Sequence, residues 1–250
     1  MEILPISTPI LKTGESLANI LMDTADIRDG DILVISSKAV ATIEGAAMHL
    51  DTVSASKEAI DLAEGHNKSA EYYQVVLDET QRMNGTVIQS VQGIVLTELK
   101  PDGMKEGSIL VPNAGLDQSN VEEGFVIGWP VDPVLSAQKL QNDIEADVAI
   151  VITDSGLSPR RKGVISFALT ISGFDPFVSM IGKPDLFGQE MSVTEEAIAD
   201  QLATAANFIM GNTNQSTPAT IIRDHHITFS KFNGWVEGIE REKDIYHGVI

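Results

Sequence analysis

The chain has 250 residues, 43% of them hydrophobic, with no cysteine and no apolar stretch near the ~20 residues of a membrane span, which excludes a disulfide scaffold and a helical membrane protein. Its 36 Asp and Glu outnumber 17 Lys and Arg, for a formal net charge of -19, and that excess works against a nonspecific grip on nucleic acid. Residues 1–20 lack the basic start, apolar centre and cleavage site of a secretory leader, so a cytoplasmic protein is expected, one that needs local cations wherever it takes an anionic nucleotide.

Met1 to Leu11 reads as an extended lead-in, followed by an amphipathic helix near Glu15 to Thr24 with Leu17, Ile20 and Leu21 on one face. After the Asp29-Gly30 turn, Asp31 to Ser36 has the length and apolar run of a buried strand and delivers Ser36, Ser37 and Lys38 at its end. Residues 54–83 read as helical with a break at Gly65-His66-Asn67 and a cap at Ser69. Thr86 to Leu99 suits strands, and Ser108 to Val111 another, with Asp117 in the loop beyond Pro112. Val148 to Ile152 is the most strand-like run and ends at Thr153-Asp154-Ser155-Gly156, which makes Asp154 a second strand-end acid. The alternation from Gly163 to Gly173 predicts a half-buried strand. Ser192 and Glu195 form a capping-box pattern that predicts a helix starting at Ser192 and ending at Gly211. A polar loop from Asn212 to Pro218 and a short strand at Ala219 to Arg223 follow. No repeat, low-complexity tract or Pro- or Ser-rich linker divides residues 1–250, so one domain or two intertwined subdomains are expected. The irregular mixture of helices and strands favours α+β, with mixed or antiparallel sheets and flanking helices.

The chain has no GxxxxGK[ST] phosphate loop, no GxGxxG after a strand, no cysteine nucleophile and no GxSxG elbow. What remains is Asp117 and Asp154, each beyond an apolar strand, where two carboxylates can share Mg2+ or Mn2+ with substrate phosphates. Aspartate at a strand end is also a turn former, and spacing alone leaves both roles open. His225 and His226 are adjacent on an extended segment, point to opposite faces and make a poor shared ligand set. Arg160-Arg161-Lys162 either holds phosphate or carboxylate groups or is a solvated loop.

Several ordered blocks carry a family resemblance. They are Asn113-Ala114-Gly115-Leu116-Asp117-Gln118-Ser119-Asn120, then Val131-Asp132-Pro133 with Ser136-Ala137, then Ile152-Thr153-Asp154-Ser155, and last Ile181-Gly182 with Asp185-Leu186-Phe187-Gly188. Together, from Thr8 to about Arg223, the chain resembles the coenzyme F420-0:gamma-glutamyl ligase family. The resemblance implies a homodimeric α+β enzyme that joins L-glutamate to a carboxylate of F420-0 through an acyl phosphate, with GTP as cosubstrate, Mg2+ or Mn2+, and K+ as a further cation. Carried over by position, Asp117, Asp154 and Ser155 would be metal ligands, with Asp117 and Asp154 the catalytic pair. Thr8, Pro9, Ile10, Leu11, Ser36, Ser37, Lys38, Asn120, Asn212, Gln215 and Thr217 would line the nucleotide pocket. Two departures stand out. Thr42 takes the place of a phosphate-contacting lysine, the nearest cation being Lys38, and residues 156–163 keep only Pro159, Arg161 and Gly163 of the family's loop. They keep two alternatives open: a folate-like acceptor, or a relative that binds nucleotide or metabolite without catalysis.

Overall fold

The computed structural model describes residues 1–249. In chain order its elements are β1 (Glu2–Ile6), α1 (Leu17–Thr24), β2 (Ile32–Ser36), α2 (Ser37–Ile43), β3 (Met48–His49), α3 (Lys57–Ala63) and α4 (Ala70–Arg82). Next come β4 (Thr86–Val91), β5 (Ile94–Leu99), β6 (Ile109–Pro112), β7 (Phe125–Val126), α5 (Pro133–Asp143), β8 (Ala149–Leu157) and β9 (Val164–Phe174). The chain continues with β10 (Val178–Ser179), β11 (Glu195–Glu196), α6 (Ile198–Met210), β12 (Ala219–Arg223) and β13 (Phe229–Trp235). The fold is α+β, and none of the described helices is long and apolar enough to cross a membrane.

Six strands make the main sheet in the order β1-β12-β2-β8-β9-β13. Only β2 and β8 run parallel, from Ile32 beside Ala149 to Ser36 beside Thr153, so their C-terminal ends lie together. Both faces of the sheet are covered. Leu33, Ile35, Ile150 and Ile152 face a larger core shared with α1, α4 and α5, while Ile32, Val34, Ala149 and Val151 face a smaller one beneath α6. That double burial is why both strands read as unbroken apolar runs. A three-stranded antiparallel sheet, β4-β5-β6, packs with α4 on the larger core.

Local chemistry accounts for the helix ends. Ser16 and Ser69 accept hydrogen bonds from Asn19 N and Tyr72 N, both at 3.3 Å, and Asp132 caps α5 ahead of Pro133. Gly211, at φ +69°, closes α6.

Three sequence expectations are corrected. The helix does not start at Ser192: Glu195 and Glu196 pair with Ser179 and Val178, and α6 begins at Ile198 with no side-chain cap. Strand pairing takes Glu195 out of the helical first turn that a capping box requires. The strand predicted from Gly163 to Gly173 is exposed only near its start; from Ala168 to Phe174 every residue is buried, because this stretch is central between β8 and β13 with α6 packed on it. Finally, Asp154 is not in a turn. β8 runs on to Leu157, with a bulge where Ile152 pairs with Thr170 and Thr153 with Ala168, and Asp154 sits within the strand opposite Phe167.

Candidate active site

The bulge sets the direction of Asp154. It leaves Ala168 N without a ladder partner, and Asp200 on α6 supplies one at 2.9 Å. Thr204 on the same helix donates to the Ser166 carbonyl at 2.7 Å, and Thr153 Oγ1 donates to the Phe167 carbonyl at 2.7 Å. Beyond the bulge, Asp154 Oδ2 accepts from Trp129 Nε1 at 2.6 Å and Oδ1 from Ser155 N at 2.8 Å. Desolvation pushes its carboxyl above the ordinary range, against the pull of the Trp129 and Ser155 hydrogen bonds and of Lys38.

Asp117 reaches the same place from a strained loop. Asn113, Ala114 and Gly115 all have left-handed backbone, at φ +51°, +52° and +75°, and a Cβ on Gly115 would lie 2.5 Å from the Trp129 indole. Asn113 Oδ1 accepts from Val95 N, and Ala114 N donates to Thr97 Oγ1, which ties the turn to β5. The chain then gives Asp117 an Asx turn: Ser119 N donates to Asp117 Oδ1 at 2.9 Å and Ser119 Oγ to Oδ2 at 2.6 Å. Lys38 Nζ, from α2, donates to Asp117 Oδ2 at 2.6 Å and to Ser119 Oγ at 2.8 Å. Burial opposes ionisation of Asp117, but Lys38 and Ser119 outweigh it and hold the carboxyl below its usual range.

Both acids line one cavity of about 570 Å3. Its other walls include Thr8 to Leu11, Ser36, Lys38, Thr42, Asn120, Ser155 and residues 211–218. These segments are tied together: Thr8 N donates to the Ser216 carbonyl, Ser36 N to the Pro218 carbonyl, and Asn120 Nδ2 to the Thr213 carbonyl. Gln215 folds inward, its Oε1 accepting from Thr213 N and Oγ1, and a Cβ at Gly211 would clash with it at 2.5 Å. Of the residues that the family resemblance assigned to the site, Ser37 alone does not line the cavity; it is buried. No histidine lines it either, and His225 instead bonds the Gly30 carbonyl at 2.8 Å. Arg160, Arg161 and Lys162 lie exposed between β8 and β9 and do not line the cavity.

Trp129, Thr153 and Asp200 escaped the sequence reading. No periodicity marks the indole that bonds Asp154, or a helix acid that serves a bulge two elements away. For Ser119 a signal existed that went unread: a serine two residues after an aspartate is a common Asx-turn spacing. Lys38 and Thr42 stand four apart on α2 and line the same cavity, so a cation at either position reaches it. Half-buried Lys68 is a second ammonium close to Asp117: it donates to Gln118 Oε1 at 2.7 Å, and burial lowers its pKa against the pull of Asp117.

The donor set fits a hard divalent ion. Two carboxylates and the hydroxyls of Thr153 and Ser155 offer oxygen ligands in one cavity. Among the described residues no three His, Cys, Asp or Glu side chains cluster, so an ion held here would have to complete its shell with water and phosphate. The Lys38 ammonium against Asp117 marks a position where positive charge is favoured. A smaller cavity, about 210 Å3, lies between β4–β6 and the C-terminal segment, where Glu98 is bound by Ser108 and Arg241.

Comparison with known proteins gives a consistent answer. The sequence model described as F420-0:Gamma-glutamyl ligase matches residues 5–224. The coenzyme F420:L-glutamate ligase of Methanocaldococcus jannaschii is 34% identical over 251 residues, 98% of this chain and 96% of that protein. That of Archaeoglobus fulgidus is 35% identical over 228 residues, 89% of this chain and 87% of the relative. The Methanopyrus kandleri protein of the same name is 32% identical over 238 residues, 94% of this chain and 90% of its own length.

Proposed function

The chain belongs to the F420-0:gamma-glutamyl ligase family, whose members form carbon–nitrogen bonds, and from that membership and the acid-lined cavity we propose that it joins L-glutamate to a carboxylate of F420-0 at the expense of GTP. The carrying observation is the convergence of Asp117, Asp154 and Lys38, from separate parts of the chain, on one cavity walled by polar loops.

The chemistry is phosphoryl transfer followed by acyl transfer. An acceptor carboxylate oxygen attacks the γ-phosphorus of GTP, the bond to the β-phosphate oxygen breaks and GDP leaves. The glutamate nitrogen then attacks the acyl carbon, the C–O bond to phosphate breaks, inorganic phosphate departs and the amine loses a proton. Such reactions depend mostly on positioning and charge neutralisation. Asp117, Asp154 and the Ser155 hydroxyl would hold Mg2+ or Mn2+, which when bound neutralises charge on the transferring phosphoryl group. Lys38, on its four-carbon stem, exchanges Asp117 for a phosphate oxygen and does the work of the lysine that Thr42 replaces. Residues 8–11 and 212–217 border the nucleotide, their hydrogen bonds to one another holding the walls in place. Trp129 and Ser155 N fix the rotamer of Asp154.

Incubation with GTP, Mn2+, glutamate and F420-0 is expected to add one or more glutamyl masses to the acceptor and release phosphate. Asp117→Asn and Asp154→Asn should each cut phosphate release by about a thousandfold or more. Release at the wild-type rate from either variant would remove that residue from the site.

A further inference from the structure

Every carboxylate-bearing substrate of this acidic chain needs a local cation, and positive side chains near Asp117 are few. Lys38 is already engaged with Asp117 and Ser119. Gln118, between those two residues, turns instead to Lys68, whose ammonium lies 2.7 Å from its Oε1 and 4.1 Å above the Tyr72 ring. The short segment Asp117 to Ser119 is thus flanked by two ammonium groups, one on each set of alternating side chains. Among the described residues Lys68 is the single half-buried Lys or Arg without a carboxylate ion partner; the other two half-buried cations, Lys38 and Arg223, each pair with one. An ammonium has three donors, and only one of those on Lys68 is used. Lys68 and Gln118 do not line the cavity itself but border the loop that carries Asp117, and a partly desolvated cation with spare donors at that edge is arranged for an anion that the protein itself does not supply.

We propose that Lys68, aimed by the Gln118 carboxamide and the Tyr72 ring, holds a carboxylate of L-glutamate or of the acceptor at the edge of the Asp117 loop. This rests on the ligase reading above, and the two are separable by experiment. The contact is a charge-assisted hydrogen bond from Nζ to a carboxylate oxygen, with no bond made or broken. The nucleotide lies on the Lys38 side, so Lys68 discriminates the carboxylate substrates from GTP.

The test compares wild type, Lys68→Met, Lys68→Arg and a control, Lys57→Met, whose side chain is exposed on α3 and pairs with Asp61. Steady-state kinetics with each substrate varied in turn should show KM for glutamate or for the acceptor raised about 10- to 100-fold by Lys68→Met, with KM for GTP within about twofold. Lys68→Arg should restore part of the loss, and Lys57→Met should match wild type. Which KM rises identifies the source of the carboxylate. Calorimetric binding of L-glutamate and of F420-0 in the presence of Mn2+ and a non-hydrolysable GTP analogue reads the same contact without turnover. Weakened binding in Lys68→Met would uphold the subsite even if wild type formed no product, in which case the ligase reading alone would fall. Unchanged KM and binding for both carboxylates in an active enzyme, a rise confined to GTP, or a drop in melting temperature with no substrate effect would each overturn the subsite.

Discussion

Asp154 illustrates how much of this site depends on single hydrogen bonds. Its two oxygens each accept one donor, Trp129 Nε1 and Ser155 N, which fixes the carboxylate plane and leaves the remaining lone pairs toward the cavity. Trp129→Phe removes the indole donor and its aim while leaving an aromatic ring in the core, and groups that orient metal ligands typically matter by about 10- to 100-fold. We expect Mn2+ affinity and kcat to fall by that factor, measured by Mn2+ titration and steady-state rates; unchanged values would assign Trp129 to packing alone. The two acids also carry opposite pH signatures in the metal-free protein. Asp117 lies below its ordinary value of 3.8 in the fold, so its stabilisation is present above that value and lost as pH falls through the lower folded pKa. Asp154 is raised by burial, so its ionised form costs stability as pH rises above 3.8 and through its folded pKa. Denaturant titrations should therefore show wild type losing stability more steeply than Asp117→Asn on acidification below about pH 4. Parallel slopes would mean that Lys38 and Ser119 do not stabilise the Asp117 carboxylate.

At the scale of elements, local signals are trustworthy where no sheet competes for the same residues. Ser69 caps α4 as its sequence implies, and Ser69→Ala should cost about 1 kcal/mol in urea unfolding. Ser192 carries the stronger-looking capping box yet caps nothing, so Ser192→Ala should stay within about 0.5 kcal/mol of wild type; a loss as large as that of Ser69→Ala would place a helix start there after all. The β2 and β8 runs were readable because burial on both faces removes the polar alternation, and the 219–223 strand because a polar loop precedes it. Immediately after β2, α2 was missed, since seven residues beginning Ser37-Lys38 carry too short a pattern to show a period. The bulge that turns Asp154 inward was not readable at all: it depends on Asp200 and Thr204, more than thirty residues further along the chain. The two acids could be singled out, but their convergence depends on the parallel pairing of β2 with β8 and on the left-handed turn at Asn113 to Gly115.

For the whole molecule, an excess of 19 negative charges makes each cation placed near the cavity consequential, and Lys38 and Lys68 stand on either side of Asp117. Apolar surface is uneven too. Leu186 and Phe187, between β10 and β11, are 99% and 89% exposed, and Phe208 on α6 is 88% exposed. We propose that these side chains are covered in the homodimer that the family resemblance implies. Light scattering should give twice the 26.9 kDa chain mass for wild type and less for Phe208→Asp; a monomeric wild type at micromolar concentration would contradict it. The ligase account itself depends on two carboxylates sharing divalent cations beside a triphosphate. Crystals grown with Mn2+ and a non-hydrolysable GTP analogue, measured at the manganese absorption edge, examine that directly. The account predicts anomalous peaks about 2.1 Å from oxygens of both Asp117 and Asp154, with the γ-phosphate on the same ions. Nucleotide bound with no metal touching either aspartate would contradict it.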